Sequence, residues 1–371
     1  MSVMESWDII VVGGGPSGLS TALHLVQQDP SWAGRVLVLE KARYPRHKLC
    51  GGGITDYGIK VLTGLGLDLY QLPYVRIEDM HVVRGRQLLR LPRGFGLHVI
   101  RRDELDAWLA DHAALRGVTI HQGESVEAVT PHESGVTVQT DHGSYEARTL
   151  VVADGSNGTV RRKLGMDDTP RVARALELLM PAEDEASLAL VRDGVAVFDF
   201  TPSPAGLQGY YWDFPCMVNG RPHVNRGVYD ARTVPERPRA DLKAILSDYL
   251  AVRGLDLADY ELMGHPIRWY EPEARAALPH VLLVGDAAGA DPLLGEGIAF
   301  ALAYGGIAAG AIVDAFARQD FGYADYGARV LASEYGQILA YRVAQAKQLY
   351  RHRYPALVPS FMPAMGAASA R

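Results

Sequence analysis

Two short segments at opposite ends of this chain hold residue types and spacings that point to nucleotide chemistry. Val11-Val12-Gly13-Gly14-Gly15-Pro16-Ser17-Gly18 lies near the start and Val284-Gly285-Asp286-Ala287-Ala288-Gly289 near the end. In the first, Gly13-x-Gly15-x-x-Gly18 has the spacing of a pyrophosphate-binding turn. The first glycine permits the tight turn, the second lets the backbone approach a pyrophosphate, and the third lets the following helix pack close to its strand. The helix entered at Pro16 and Ser17 would then offer N–H groups and the positive end of its dipole to the phosphates. Glu40, 22 residues after Gly18 and followed by Lys41, is spaced to accept hydrogen bonds from ribose hydroxyls.

The turn alone does not separate one dinucleotide from another. The acidic segments further along do. Val151-Val152-Ala153-Asp154-Gly155 and Val284-Gly285-Asp286 each read as a strand ending in an aspartate–glycine pair. An aspartate such as Asp286 over the cofactor can bind the hydroxyls of the sugar-alcohol chain that FAD has and NAD lacks. Pro292-Leu293-Leu294-Gly295-Glu296-Gly297-Ile298 then leads into a helix. Its N-terminus would face the pyrimidine edge of a flavin and stabilise the charge that builds at N1/O2 on reduction. The expected cofactor is therefore FAD, held non-covalently. Arg102, at the start of a helix, suits the FAD phosphates or adenine side, and suits a plain surface position equally.

Positioning these residues requires a β-α-β unit, and the chain supplies one. Residues 7–12 read as a buried strand with an apolar run from Ile9 to Val12, 16–28 as a helical stretch, and Val36 to Leu39 as the next strand, closed by Glu40. Helical spacing of Leu105, Trp108, Leu109 and Ala113 predicts a helix from 102 to 115. Short strands are expected at 118–121, 125–130, 135–140 and 147–153. A second β-rich stretch covers 171–230, with turns at Pro202/Pro204 and Asn219-Gly220, and a helix is expected over 241–252. Val281 to Val284 reads as a buried strand. The uncharged segment Gly297 to Val313 reads as a buried helix rather than a membrane span. The fold class expected is α/β: a Rossmann-like FAD-binding domain of the GR2 type (1–75, 99–168 and 262–330), interrupted by a β-rich antiparallel substrate domain (76–98 and 169–261). C-terminal helices are expected over 331–371.

Composition narrows the remaining classes. A net charge of −6 gives no general reason to bind nucleic acid. Two cysteines, Cys50 and Cys216, are too few for a disulfide scaffold and lack metal-site spacing, so no metal is expected. The N-terminus lacks the pattern of a secretory signal, and a cytoplasmic protein with reduced thiols is expected. The tail after Glu334 has no acidic residue but carries Arg342, Lys347, Arg351, Arg353 and Arg371, interleaved with Tyr335, Tyr341, Tyr350, Tyr354 and Phe361. It reads either as a packed helix with a solvated basic face or as a contact for a membrane surface or carrier protein.

The glycine turn, the Asp-Gly segment and the late Gly-Asp segment together resemble the p-hydroxybenzoate-hydroxylase-type flavoprotein superfamily. Tyr210-Tyr211-Trp212-Asp213-Phe214-Pro215 is similar to the Tyr-x-Trp-x-Phe-Pro signature of its geranylgeranyl reductases, although Cys216 follows where that signature often carries lysine. Cys50-Gly51-Gly52 is similar to the same family's Cys-Gly-Gly segment. The resemblance implies a substrate cavity lined by Tyr210 and Trp212 above the flavin, with Cys50 and Gly51 beside it. Period-two alternation puts Tyr210, Trp212 and Phe214 on one face and Asp213 on the other, solvated or hydrogen-bonded. Arg46, Lys48 and a following helix can each lower the Cys50 thiol pKa, so that Cys50 reads either as a catalytic candidate that donates a proton, gates the site or holds the flavin-side loop, or as a buried, inert cysteine. His47, His98 and His265 read as ordinary residues, and Glu296 as a cap or an ordering group for the flavin helix.

The expected activity is reduction of carbon–carbon double bonds in an apolar, isoprenoid substrate by hydride from reduced flavin. NAD(P)H or a ferredoxin-like protein would act as transient reductant, because no second Rossmann glycine motif is present. The alternative is a monooxygenase acting on an aromatic or polyene substrate through a C4a-hydroperoxyflavin. A third alternative is a non-enzymatic flavin-binding partner or sensor.

Overall fold

The computed structural model describes residues 4–91, 96–166, 171–202 and 206–351. Pro204 of the expected turn, and Arg353, Tyr354, Phe361 and Arg371 of the tail, lie outside them. Three sheets organise the chain. The largest has five parallel strands in the order Thr119–Gln122, Val36–Glu40, Glu5–Val12, Ser144–Val152 and Val281–Leu283. Val126–His132 and Gly135–Thr140 extend it as an antiparallel meander, and Ala277–Leu278 closes the edge beside Val281–Leu283. The central strands read as unbroken apolar runs because both faces are covered. Ile9 to Val11 and Val36 to Val38 are completely buried.

Two helices match the sequence reading residue for residue, Pro16–Gln28 and Arg102–Leu115. The long apolar helix is Ile298–Arg318, and 72% of its most apolar window is buried inside the protein. Two of its glycines, Gly305 and Gly306, are explained by contact with Pro16–Gln28. A Cβ on Gly305 would lie 2.6 Å from the Ser20 carbonyl carbon, and Ser20 Oγ donates to the Leu302 carbonyl at 2.7 Å.

The second sheet has seven strands in the order Met263–Arg268, Val172–Pro181, Arg221–Asp230, Gly209–Val218, Val195–Asp199, Asp79–Arg84 and Gln87–Leu91. It is antiparallel except where Val195–Asp199 runs parallel to Asp79–Arg84. Asn219-Gly220 joins its two longest neighbours with φ of 50° and 73°, the left-handed pair that a two-residue hairpin favours. A small sheet of Gly53–Thr55, Leu97–Ile100 and Tyr74–Arg76 connects the two larger ones. The helix Glu185–Asp193, started by Asp184 accepting from the Ser187 amide, is a finding that the sequence reading did not anticipate.

The seven-stranded sheet buries both faces. Tyr210, Trp212, Phe214 and Cys216 pack with Phe198, Phe200, Tyr229 and Trp269, whereas Tyr211 faces the opposite cluster around Leu246 and Tyr249. Asp213 is on that second side and is only 2% exposed, so the expected solvated alternative is replaced by full burial. It accepts from the Tyr249 hydroxyl at 3.0 Å and pairs with Arg226 at 3.6 Å and Arg253 at 3.5 Å. Removing the carboxylate leaves buried Arg226 without its counter-charge. Asp213→Ala should lower unfolding stability by about 3 kcal/mol in a denaturant titration. A loss below about 1 kcal/mol would mean that Arg226 finds compensation elsewhere.

Candidate functional site

The parallel strands Glu5–Val12, Val36–Glu40, Ser144–Val152 and Val281–Leu283 end at a common edge of the sheet, where the glycine turn sits. Gly13 has φ of +109°, and a Cβ there would lie 2.3 Å from the Ala153 carbonyl oxygen. A Cβ on Gly18 would lie 2.1 Å from the Gly13 carbonyl oxygen. Both glycines are therefore required by backbone contact. Gly15 differs. Its backbone is extended (φ −87°, ψ −177°), and the nearest groups to an added Cβ are guanidinium nitrogens of Arg102 at 3.8 Å and Arg46 at 3.9 Å. The helix that follows has no side-chain cap. An uncapped helix N-terminus flanked by two guanidiniums is an anion-binding corner.

Asp106 holds this corner together. It is completely buried and takes a two-pronged contact from Arg102 at 2.8 and 2.9 Å, with Arg46 at 3.1 Å. Sequence reasoning found Arg102 but missed Asp106 and Arg46 as its partners. The i,i+4 spacing of Arg102 and Asp106 was the available signal. Glu40, 5% exposed, accepts from the Gly14 amide and the Ala42 amide, both at 2.9 Å. It thus stands at the end of its strand beside the turn. The Lys41 side chain is exposed.

The two distant motifs meet. A Cβ on Gly285 would lie 2.5 Å from Ser17 Oγ, so the late loop touches the first helix. Ser156 Oγ donates to Asp286 at 3.2 Å, which joins the Asp154-Gly155 segment to the Gly285-Asp286 segment. Asp154 caps Thr159–Lys163 through the Val160 amide at 2.9 Å. Its Oδ1 is buried with no hydrogen-bond partner among the described residues, and burial raises its pKa. Gly297 faces Asp286, with 3.6 Å between an added Cβ and Oδ1, and Ile298 starts the long helix.

The loop carrying Gly295 and Glu296 is fixed from the C-terminal helix Glu334–Leu349. Arg342 donates to Asp291 at 2.8 Å and to Glu296 at 2.6 Å, and Thr55 donates to Glu296 at 2.7 Å. Arg342 is therefore not part of a solvated basic face, because its charge is spent inside the molecule. Lys347 and Arg351 are exposed.

The Cys50 expectation needs correcting. The next helix, Asp56–Gly64, is separated from Cys50 by the strand Gly53–Thr55, so the thiol does not directly precede a helix as expected. Arg46 is engaged with Glu40 and Asp106, and Lys48 lies 3.1 Å from His265 Nε2. Burial pushes the Cys50 thiol up, outweighing the lowering effects of Arg102 and the Gly52 amide. Burial and Lys48 push His265 down to about 4, so this histidine is neutral beside the lysine. Tyr210 donates to the Leu294 carbonyl, tying the aromatic strand to the Gly295 loop, and burial raises its hydroxyl far above the ordinary range. Trp212 Nε1 donates to Asn225 at 2.7 Å. A Cβ on Gly51 would lie 3.1 Å from Phe214 and 3.4 Å from Trp212 Nε1, so the Cys50-Gly51 loop rests on the aromatic face. Beside this contact is a narrow, mostly polar cleft with Lys48, Cys50, Gly51, Arg102, Glu177 and Asn225 in its walls. Sequence reasoning missed Glu177.

Comparison with known proteins agrees with this geometry. The model of a family described as FAD binding domain matches residues 6–301. A menaquinone reductase of Mycolicibacterium smegmatis is 30% identical over 335 residues, covering 81% of this chain and 75% of that protein. Digeranylgeranylglycerophospholipid reductase 1 of Methanosphaera stadtmanae is 24% identical over 314 residues, covering 83% and 75%. The crystal structure of a geranylgeranyl bacteriochlorophyll reductase-like protein from Thermoplasma acidophilum superposes with a TM-score of 0.73 at 19% identity, over 97% of this chain and 100% of that one. The last shares the fold.

Two outcomes test the site. Gly15→Ala meets no protein atom closer than 3.8 Å, so the stripped variant should melt like stripped wild type, yet bind FAD roughly tenfold or more weakly in a fluorescence titration. Equal affinity would place the pyrophosphate elsewhere. Peptide-mapped alkylation of Cys50 by iodoacetamide should be slower than that of free cysteine and still rising at pH values where free cysteine has levelled off. A fast reaction at neutral pH would restore the thiolate.

Proposed function

The chain belongs to the FAD binding domain family of flavin-dependent oxidoreductases, and on that premise we propose that it is a geranylgeranyl-reductase-like member that reduces a carbon–carbon double bond in an apolar isoprenoid substrate. The observation that carries the reading is the contact between the Cys50-Gly51 loop and the face formed by Tyr210, Trp212 and Phe214. An isolated alkene has no polar handle, so its binding energy must come from apolar and aromatic area. Two relatives whose names specify a menaquinone and a digeranylgeranyl lipid support the isoprenoid class. Bound FAD, once reduced, supplies the hydride. The chain does the rest. Arg46 and Arg102 offset the pyrophosphate charge, and the start of Ile298–Arg318 favours added charge on the reduced ring. The aromatic face orients the chain and excludes water.

The test is anaerobic. Wild-type holoenzyme reduced with dithionite should be reoxidised on mixing with a polyprenyl quinone or a geranylgeranyl lipid, and the product should gain two hydrogens by mass spectrometry. Reoxidation that requires O2, with oxygen appearing in the product, would replace this reading by the monooxygenase.

A further inference from the structure

The strand Val172–Pro181 alternates across the seven-stranded sheet. Leu176, Leu178 and Met180 belong to the cluster behind it, whereas Ala173, Ala175 and Leu179 face the cluster that contains Tyr210, Trp212 and Phe214. Glu177 has the parity of this second set, so it stands on the aromatic side. It is 3% exposed. Oε1 accepts from the Cys50 amide at 3.0 Å. Oε2 is buried with no hydrogen-bond partner among the described residues, and the residue lines the cleft beside Cys50, Gly51 and Asn225. Asn225 in turn holds Trp212.

A buried carboxylate with an unmatched oxygen is costly, and the usual escape is to keep the proton. The groups that face Glu177 come from several elements. Lys48 and Cys50 lie on the loop before Gly53–Thr55, and Arg101 and Arg102 at the head of the Arg102–Leu115 helix. Cys216 is on the same sheet, two strands away on Gly209–Val218, His47 and Asp103 also line the cleft, and neutral His265 touches Lys48. The Cys50 amide, Asn225, Lys48 and Arg101 all favour the ionised form, yet burial outweighs them and pushes the carboxyl up to about 7.

We propose that Glu177 is the proton donor of the reduction, delivering its acid proton to the alkene carbon opposite the one that accepts hydride. The assignment rests on the reductase reading above. The alkene π bond breaks, one new C–H bond takes the hydride from reduced FAD, and the other takes the Glu177 proton. The two electrons come from whichever external reductant, a nicotinamide or a one-electron carrier protein, has reduced FAD. Glu177 is left as a carboxylate in the cleft and regains its proton from solvent. Hydrogen bonding of Oε1 to the Cys50 amide leaves Oε2 as the oxygen that carries the proton.

Glu177→Gln tests the assignment because it keeps an acceptor for the Cys50 amide and lacks the acid. FAD affinity and dithionite reduction should be unchanged, while substrate-triggered anaerobic reoxidation should fall roughly 100-fold or more. The sign of the pH dependence follows from the protonated form being active. The wild-type rate should be level below pH 7 and fall about tenfold per unit above it, and the residual Glu177→Gln rate should be flat across that range. A readout independent of turnover comes from flavin-free wild type. Its infrared spectrum should show a carboxylic-acid C=O band that disappears as pH rises through about 7 and is absent from Glu177→Gln. A variant within a few-fold of the wild-type rate, or a Glu177 already ionised at pH 5, would overturn the assignment and leave the reductase reading intact. A wild type inert toward every isoprenoid alkene would bring down the reading itself.

Discussion

The cofactor domain depends on glycines that let segments of the chain meet without a Cβ at the carboxyl end of the parallel sheet. Gly13 lies against Ala153, Gly18 against Gly13, and Gly285 against Ser17, each with no room for a Cβ. These contacts bring residues from the beginning, middle and end of the chain within touching distance. They also set the direction of Pro16–Gln28, whose uncapped N-terminus opens at the same corner. The long helix Ile298–Arg318 can then lie across it only because Gly305 admits Ser20. A wider turn would separate the strands, aim the helix dipole elsewhere and lift the late loop off the early one.

Two buried charge clusters hold the loops that this edge leaves unpaired. In one, Arg46 and Arg102 share Asp106, and Arg46 also reaches Glu40. In the other, Asp291 and Glu296 share Arg342. Burying such groups is expensive unless geometry is good, and both clusters use direct contacts of 3.3 Å or less. The first sits beside the uncapped N-terminus of Pro16–Gln28. The second anchors the loop ahead of Ile298–Arg318 to the C-terminal helix. The pair thus fixes loops on two sides of the candidate cofactor site.

Local signals were legible in the sequence, and remote ones were not. The helices Pro16–Gln28 and Arg102–Leu115 are read correctly because apolar spacing defines them within their own span. Helix Glu185–Asp193 is short and interrupts a β-rich stretch, although Asp184 as its cap and Gly194 in the left-handed conformation after it were signals in view. The Cys50 environment is misread because cationic neighbours in sequence point to other partners, and burial, a property of the assembled sheets, decides the thiol. Arg342 looks like a surface charge for the same reason: its two acids lie 51 and 46 positions away. Glu177 had a visible mark, a lone carboxylate within Ala175-Leu176-Glu177-Leu178-Leu179-Met180, and its parity with the aromatic face appears only once the sheet is formed.

The apolar face and the buried acid answer one physical demand. A hydrocarbon substrate can be held only by removing apolar surface from water, which requires aromatic walls and a dry cleft. The same dryness keeps a carboxyl group neutral in the presence of Lys48 and Arg101, both of which would otherwise ionise it. On the proposed reading, an isoprenoid chain entering beside Gly51 would displace water from around Glu177 and raise its proton affinity further. The acid is therefore best protected against ionisation when there is something to protonate. A polar substrate bound through hydrogen bonds would bring water or donors to the same carboxyl and lower its pKa. Burial thus links what the cleft can bind to the proton it can deliver.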